Sequence, residues 1–536
     1  NDVVHRLGGL QGLPWGNITS LDAAEGVVYA GTSLGVVSLE VATMSWRYFL
    51  GPRWLAGDVV LSVAAAGRTV WVATDMGLSL LEATDDMTLE AKAKHMASLT
   101  EPRHDRYGYV ARVDLARFGD LSSFKPGDGD NDGSWTAYFM VGEIMRYVAT
   151  GAEDAKDKAW SKFRAIEFLH NVTGLDGFIA RTLVKCGEPH QPGDAPDGWH
   201  NSTACYLGVD QPGQPCCWTW KGDTSSDETD GHFYGLSLAY KYLATTDYER
   251  WRFAKLMCSM AAHIVDNGFV YIDVTGNRTT WGYWAPEILN TIPGKPGERG
   301  LNSLEILAYL SAAHALCDSR DDVRHPKHGT FGDAMAYLVR NHSYGYNIVN
   351  AHLTAPDGIA FFDYGNAFYT YVTMALHGPW LQPGKTAPPL TPAETELLKD
   401  QFFTGFDSFF NSVSLGAGTE HDAMWSVIYS MVTGREGLAD PTWTLRRYPM
   451  ELIWWPARNS HRLDINLRKD WLSQEQQLLS VSPIAPDESP DDHPDDDSTF
   501  ELDGGTGTAE QSPTSFLMAY WLGRAQGVIA PPSSVQ

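Results

Sequence analysis

The sequence predicts a mainly α protein, an (α/α)6 toroid of paired helices preceded by a small propeller-blade-like β lobe. Three observations lead there. Short Val/Leu/Trp-rich segments divided by Gly/Asp turns occupy residues 1–90, eleven segments with apolar residues at spacings of three and four follow, and chemically rich loops precede every second one of those eleven. At 536 residues the chain exceeds what one hydrophobic core usually supports, so two or more lobes or a repeating fold are expected.

Composition narrows the function classes. Hydrophobic residues make up 43% and charged residues 20%, the balance of a globular protein. The 19 tryptophans, 23 tyrosines and 21 phenylalanines serve cores, and in Gly/Pro-rich loops they also suit flat ligands such as sugar rings. The net charge of −26, with no basic stretch long enough to follow a phosphate backbone, excludes a nucleic-acid binder and argues more weakly against a polyanionic substrate. No run of eighteen apolar residues marks a membrane span. Asn-x-Ser/Thr sequons at Asn17, Asn171, Asn201, Asn277 and Asn341 and six cysteines point to a secreted glycoprotein with N-linked glycans and disulfides. Cys186, Cys205, Cys216 and Cys217 share one loop-rich segment, whereas Cys258 and Cys317 lie in helical patterns and fit free buried thiols equally well. The chain starts at Asn1 with no signal-like apolar segment, as a mature form without its leader would.

Residues 1–83 form the β lobe. Strands are expected over 18–22, 27–31, 36–40, 47–50, 59–64, 69–73 and 78–82. Gly-Val-Val-Tyr-Ala-Gly-Thr-Ser-Leu-Gly-Val (26–36) is echoed by Gly-Arg-Thr-Val-Trp-Val-Ala-Thr-Asp-Met-Gly-Leu (67–78), a repeat of about forty residues that signals propeller blades. Only about two blades are present, and a closed propeller needs at least four, so the open edges should be covered by the rest of the chain. Residues 84–110 read as a linking helix (84–97) and loop. Residues 111–536 then carry helices over 134–149, 153–171, 229–244, 248–266, 301–317, 330–341, 361–377, 392–412, 420–434, 440–447 and 513–526. One more would make twelve, six helical hairpins closed into a ring. The Pro- and acid-rich stretch 484–511 reads as an excursion over the surface or rim.

The loops 128–135, 223–232, 298–305, 362–368, 419–425 and 504–512 precede or open the odd-numbered helices. In an up-down ring those helices run in one direction, so six polar loops converge on one mouth. Acids near a helix N-terminus also simply cap it, but capping does not predict this alternation. The densest loop, Trp218–Phe233, holds Trp220, Asp223, Asp227, Glu228, Asp230 and His232. Trp281 and Trp284 beside Glu287 suit stacking on a sugar ring, and Trp135 adds a further aromatic; His461 and Arg462 follow Trp454 and Trp455.

With these residues in place, the β lobe resembles the propeller repeats of bacterial ligand-sensor proteins, and the whole layout resembles the (α/α)6 carbohydrate-active enzymes: glycoside hydrolases, unsaturated-uronyl hydrolases and polysaccharide lyases. The resemblance implies an oligo- or polysaccharide substrate and assigns no residue a role. Hydrolysis needs a protonated carboxylic acid and a second carboxylate. The acids to choose from are Asp132, Asp227, Glu228, Glu287, Glu305, Asp363 and Asp422. Crowded by Asp227 and Asp230, Glu228 is the expected acid, with Asp132 as base and Asp422 next. A lyase acting on a uronate polymer, the alternative, would use His232 or a tyrosine with Arg299 and Asn302. A third alternative is a non-catalytic glycan-binding or assembly protein that self-associates through its β edges. No cofactor is required. Asp128, Asp130 and Asp132 with Gly133 match the first half of an EF-hand loop and admit calcium, although position twelve is Phe139 instead of Glu.

Overall fold

The computed structural model describes residues 5–8, 13, 17–82, 87–195, 197–204, 216–291, 294–295, 297–350, 361–382, 389–411, 422–437, 440–458, 502–504 and 506–532. All seven expected strands of the lobe form. Strands β1 (Ile18–Ala24), β2 (Val27–Thr32), β3 (Gly35–Glu40) and β4 (Ser45–Phe49) make one antiparallel sheet, and β5 (Val60–Ala66), β6 (Thr69–Thr74) and β7 (Gly77–Glu82) make a second. The repeat extends to turn chemistry. Thr32 Oγ1 donates to Gly35 O at 2.9 Å and accepts from Leu34 N, as Thr74 Oγ1 does with Gly77 O at 3.0 Å and Met76 N. Both turn glycines have φ in the left-handed half, +104° and +151°, where a Cβ would be strained. Val36, Phe49, Leu55, Val60, Val63, Val70 and Val72 are buried between the sheets, the apolar interior that keeps two blades together.

Coverage of the open edges is one-sided. The first blade's outer face, with Ala30, Val37, Tyr48 and Leu50 buried, packs with Leu13, and Arg447 donates to Trp46 O. Arg53 donates to Ile453 O at 2.8 Å, a second tie to the helical part. The second blade keeps an exposed apolar outer face.

Beyond the lobe the chain is mainly helical with small antiparallel sheets. The helices are α1 (Leu89–Leu99), α2 (Asp132–Thr150), α3 (Glu153–Asn171), α4 (Ser226–Leu238), α5 (Asp247–Asp266), α6 (Arg299–Cys317), α7 (Phe331–His342), α8 (Phe361–His377), α9 (Pro392–Asn411), α10 (Ala423–Thr433), α11 (Pro441–Arg447) and α12 (Thr514–Ala525). Six of them pack in a closed cycle: α2 on α4, α4 on α6, α6 on α8, α8 on α10, α10 on α12, and α12 back on α2. The cycle members are rich in buried residues; in α4 every side chain from Asp227 to Leu238 is buried. Outside the cycle, α3 packs on α2, α5 on α4 and α6, α7 on α6, α9 on α10, and α11 on α10 and α12.

The expected linking helix takes a different place. It starts at Leu89, capped by Thr88, and packs on α11 and α12 as an outer partner. Lys92 explains this, because its buried ammonium donates to the carbonyls of Leu445, Arg446 and Tyr448 at the end of α11, where backbone acceptors lack intrahelical donors. Two further expectations shift locally: α4 begins at Ser226 and relaxes into a wider π turn at Ala239–Leu243, and α10 begins at Ala423 behind the capping Asp422. Residues 459–501, most of the acidic stretch, lie outside the described residues, but Ala509–Glu510 pairs antiparallel with Val113–Leu115.

Disulfides join Cys186 to Cys216 and Cys258 to Cys317, so the two helical cysteines are a pair tying α5 to α6, and no cysteine among the described residues is free. Asn17, Asn171, Asn201, Asn277 and Asn341 are all exposed. No helix among the described residues is long and apolar enough to cross a membrane.

Candidate functional site

The segment entering α4 is fixed before the helix begins. Strands β8 (Leu183–Lys185), β9 (Trp199–Ser202) and β10 (Trp218–Lys221) form a sheet in the order β8-β10-β9, and β10 leads into the turn at Asp223. Asp223 has φ of +52°. Its amide donates to Asp273 Oδ2 at 2.7 Å and its Oδ1 accepts from Thr280 N at 2.7 Å, tying the turn to the hairpin β11 (Val270–Ile272) and β12 (Arg278–Tyr283). Thr224 Oγ1 donates to Ile179 O. These bonds set the height and rotation of α4, and the rotation separates its acids. At 100° per residue, Glu228 and Asp230 fall on opposite faces.

Glu228 faces α2 and α3. Its Oε2 accepts from Ser134 N at 3.0 Å and its Oε1 from His232 Nε2 at 3.0 Å; His232 Nδ1 in turn accepts from His170 Nε2 at 2.9 Å. Glu228 and His232 are both wholly buried. Burial raises the Glu228 carboxyl above its usual range despite the histidine, and burial followed by the neighbouring imidazole holds His170 far below its own. This chain is a helix-to-helix strut. A Cβ on Gly133 would lie 1.9 Å from Glu228 Oε1, so the close approach depends on glycine there.

Asp132 is also structural. Its Oδ2 accepts from Arg106 at 2.9 Å and Thr182 at 2.5 Å and its Oδ1 from Gly129 N at 3.1 Å. Burial raises its carboxyl to about 6. Neither Glu228 nor Asp132 has a face toward solvent from which to meet a substrate. Asp422, likewise raised by burial to about 6, caps α10 by accepting from Trp425 N at 2.7 Å.

Asp230 faces inward, where α4, α6 and α8 meet. Its Oδ1 accepts from Tyr309 Oη at 2.5 Å and Thr370 Oγ1 at 2.9 Å, while Glu305 Oε2 accepts from Trp284 Nε1 at 2.6 Å. The remaining oxygens, Asp230 Oδ2 and Glu305 Oε1, are buried without a hydrogen-bond donor, and the two acids act on each other electrostatically. Two adjacent buried carboxylates repel each other, which disfavours ionising both. Burial, and for Glu305 also the adjacent charge of Asp230, push both carboxyls upward. One turn earlier on α4, Asp227 accepts from Asn131 Nδ2 at 2.5 Å; Asn131 Oδ1 accepts from Arg181, which holds the N-terminus of α2 against α4. Asp227 is 8% accessible and Asp363, at the start of α8, is half-buried and acts electrostatically on Glu305. Tyr138 stacks on Tyr369 with centroids 4.2 Å apart, and half-exposed Trp135 meets Tyr138 edge-on at 5.7 Å.

The expected binding residues divide. Trp281 is exposed, with Lys295 Nζ 5.3 Å from its ring centroid, and Glu287 is exposed in the helical turn Pro286–Leu289. Trp284 is fully buried and serves as a donor to Glu305; Trp220 is buried in β10 and His232 in the strut. Arg299 Nε donates to Leu289 O at 2.7 Å and Asn302 Nδ2 to Tyr283 O at 3.0 Å, so both hold the loop ahead of α6. His461 and Arg462 lie outside the described residues. Asp128 accepts from Gln191 N, Asp130 from Gln191 Nε2 and Lys221 Nζ, and Asp132 from Arg106, so the three aspartates are directed to different partners. Among the described residues no group of three His, Cys, Asp or Glu side chains is gathered as a metal would need. A cavity of 880 Å³ lies elsewhere, lined by His190, Trp199, His200 and Thr275.

The residue missed in sequence was Asp230, read only as the neighbour that would perturb Glu228. Its partner Glu305 carried a usable signal, an acid flanked by Leu304, Ile306 and Leu307 in an apolar helix, where an ionised carboxylate needs a compensating partner.

No family model and no curated protein matches the chain. A solved structure titled "Bacteroides ovatus GH9" aligns over 94% of this chain and 96% of its own, at 9% identity and a TM-score of 0.35. That likeness is too slight to carry an argument about fold or activity.

Proposed function

We propose that this protein is a secreted carbohydrate-active enzyme, a glycoside hydrolase in which the six-helix cycle is the inner ring of an (α/α)6 toroid. The observation carrying the reading is the buried acid pair Asp230 and Glu305 at the meeting of α4, α6 and α8, with Asp227 and Asp363 near enough to act on it electrostatically. A proton held against neutral solvent is what general-acid cleavage of a glycosidic bond needs, and a second carboxylate activates water or attacks the sugar. In this assignment Asp227 and Asp363 are the reacting carboxylates at the mouth. One gives its proton to the glycosidic oxygen as the C–O bond breaks, the other takes a proton from the water whose oxygen bonds to the sugar carbon, and the buried pair relays that proton from the second back to the first. Trp281 and Trp135, the exposed tryptophans of the predicted set, offer faces for sugar rings. The five exposed sequon asparagines and the disulfides suit an extracellular glycoprotein.

A second reading, glycan binding without turnover, draws on the near-complete burial of Asp230 and Glu305. A lyase is favoured less, because Arg299 and Asn302 are hydrogen-bonded to backbone carbonyls. The purified chain should therefore be incubated with neutral and uronate-containing polysaccharides while reducing ends and unsaturated-uronate absorbance are followed together. New reducing ends without absorbance, abolished in Asp227→Asn and Asp363→Asn, are expected. Absorbance rising with reducing ends would replace hydrolase by lyase. Binding without either signal would leave the second reading.

A further inference from the structure

Asn131 stands at the N-cap of α2, where an asparagine ordinarily turns its side-chain oxygen back onto the free amides of the first turn. Here it does not. Among the described residues its side chain meets none of α2's own amides, and Ser134 N, an amide of that first turn, donates instead to Glu228 Oε2 of α4 at 3.0 Å. The neighbouring helix has taken over the cap, and Asn131 is released for other partners.

Those partners lie on either side of its amide. Asn131 Oδ1 accepts from Arg181 Nη2 at 3.0 Å, and Asn131 Nδ2 donates to Asp227 Oδ2 at 2.5 Å. A guanidinium can only donate, so the amide oxygen must face Arg181 and the amide nitrogen must face Asp227. Arg181 is itself held. Only 5% accessible, it donates from Nε to Asp130 O at 2.7 Å and from Nη1 to Asp223 O at 3.2 Å, in the segments that lead into α2 and α4. The two oxygens of Asp227 are thereby made unequal. Oδ2 is engaged by Asn131, whereas Oδ1 meets no donor among the described residues and is not enclosed.

We infer that Asn131 is a positioning residue for Asp227: backed by Arg181, its amide holds Oδ2 and leaves Oδ1 as the oxygen that exchanges the proton. The inference rests on the assignment of Asp227 as a reacting carboxylate. Adhesion of α2 to α4 does not by itself account for the arrangement, because Glu228 and Ser134 already join the same two helices one turn further on. Adhesion to Arg181 would also be served by a carboxylate at position 131. Positioning would not, since only an amide can accept from Arg181 and donate to Asp227 at once.

Asn131→Asp separates the two roles, because it keeps the size of the side chain and an acceptor for Arg181 and loses the donor to Asp227. On the polysaccharide that the wild type cleaves, kcat should fall by on the order of 10²-fold, the usual cost of misplacing a reacting group by about 1 Å, with KM within about twofold of wild type. Asn131→Ala, which sets no second carboxylate beside Asp227, should lose kcat in the same way and serves if Asn131→Asp does not fold. A wild-type kcat in the folded variants, with turnover still lost in Asp227→Asn, would overturn the role of Asn131 and leave the assignment of Asp227 standing. A raised KM at unchanged kcat would overturn it equally, by making Asn131 a binding contact. Turnover that survives Asp227→Asn, or a wild type silent on every polysaccharide, would overturn the assignment of Asp227 and the role of Asn131 with it.

Discussion

Two buried acid networks hang from one helix, two residues apart, and they do opposite things. Glu228 meets a backbone amide and an imidazole, each able to offer it a hydrogen, and both its oxygens are satisfied by the neighbouring helices. Asp230 meets another buried acid, and with no donor on Asp230 Oδ2 or Glu305 Oε1 the ionisation of both is disfavoured. The first network fixes α4 against α2 and α3, and disturbing it should be felt as stability. The second sets two carboxyls that burial pushes upward where three cycle helices meet, and disturbing it should be felt as chemistry. Residue type does not distinguish them. The partner does.

The largest expected effect separates the networks by turnover. Asp230→Asn removes the pair's exchangeable proton and should lower kcat by on the order of 10³-fold, the usual worth of a general acid's proton supply, with KM little changed. Glu228→Gln should leave kcat within about threefold of wild type, because Glu228 and its partner His232 are wholly buried. Steady-state kinetics on whichever polysaccharide the panel identifies would check both, and equal losses in the two variants would erase the distinction.

Stability should reverse the ranking. Glu228→Gln replaces a carboxylate that accepts from Ser134 N and His232 by an amide with one acceptor oxygen, leaving a buried group mispaired at a cost of about 1–3 kcal/mol. Gly133→Ala should cost at least as much, since the new Cβ would sit 1.9 Å from Glu228 Oε1 and 2.5 Å from His232 Nε2. Denaturant unfolding of both variants against wild type measures this.

How far the sequence disclosed these networks depends on the helix. Segments 153–171 and 361–377 are found at their expected bounds because their apolar spacing and flanking turns are clear, and the Thr-x-x-Gly repeat exposed both blades. Helix α4 is buried on all sides, so its pattern has no solvent face from which to tell where Glu228 and Asp230 point. The tryptophans failed differently. Trp281 and Trp284 are three positions apart, an odd interval that in extended chain turns side chains to opposite faces; one is exposed and the other reaches Glu305. Capping acids and reacting acids look alike before a helix, which is why Asp422 and Asp132 joined the expected set. The linking helix was expected over 84–97, but its place as an outer partner was hidden because its buried contacts, through Lys92, lie more than three hundred residues away.

The proton pair also leaves a signature in stability against pH. Asp230 is raised to about 8, above the value near 4 that an aspartate has in an unfolded chain. Folding thus binds a proton that the unfolded chain has released, so this contribution is complete below about pH 4 and is lost as pH rises through the native titration. The unfolding free energy of Asp230→Asn should fall less steeply than that of wild type over that window. Parallel slopes would mean that the pair does not hold its proton.

The smallest effect concerns the donor that tempers this pair. Trp284 Nε1 donates to Glu305 Oε2 at 2.6 Å, favours the ionised form and lowers its proton affinity. Trp284→Phe keeps most of the buried ring and removes that donor, at a cost to the ionised state of about 1 kcal/mol. Since 1.36 kcal/mol corresponds to one pKa unit, the shift should be just under about one unit toward higher pH. It should appear as an alkaline displacement of the stability profile and of the basic limb of kcat against pH, with Trp281→Ala leaving both midpoints in place and changing only KM. A displacement toward acid in Trp284→Phe would show that the indole stabilises the protonated pair instead.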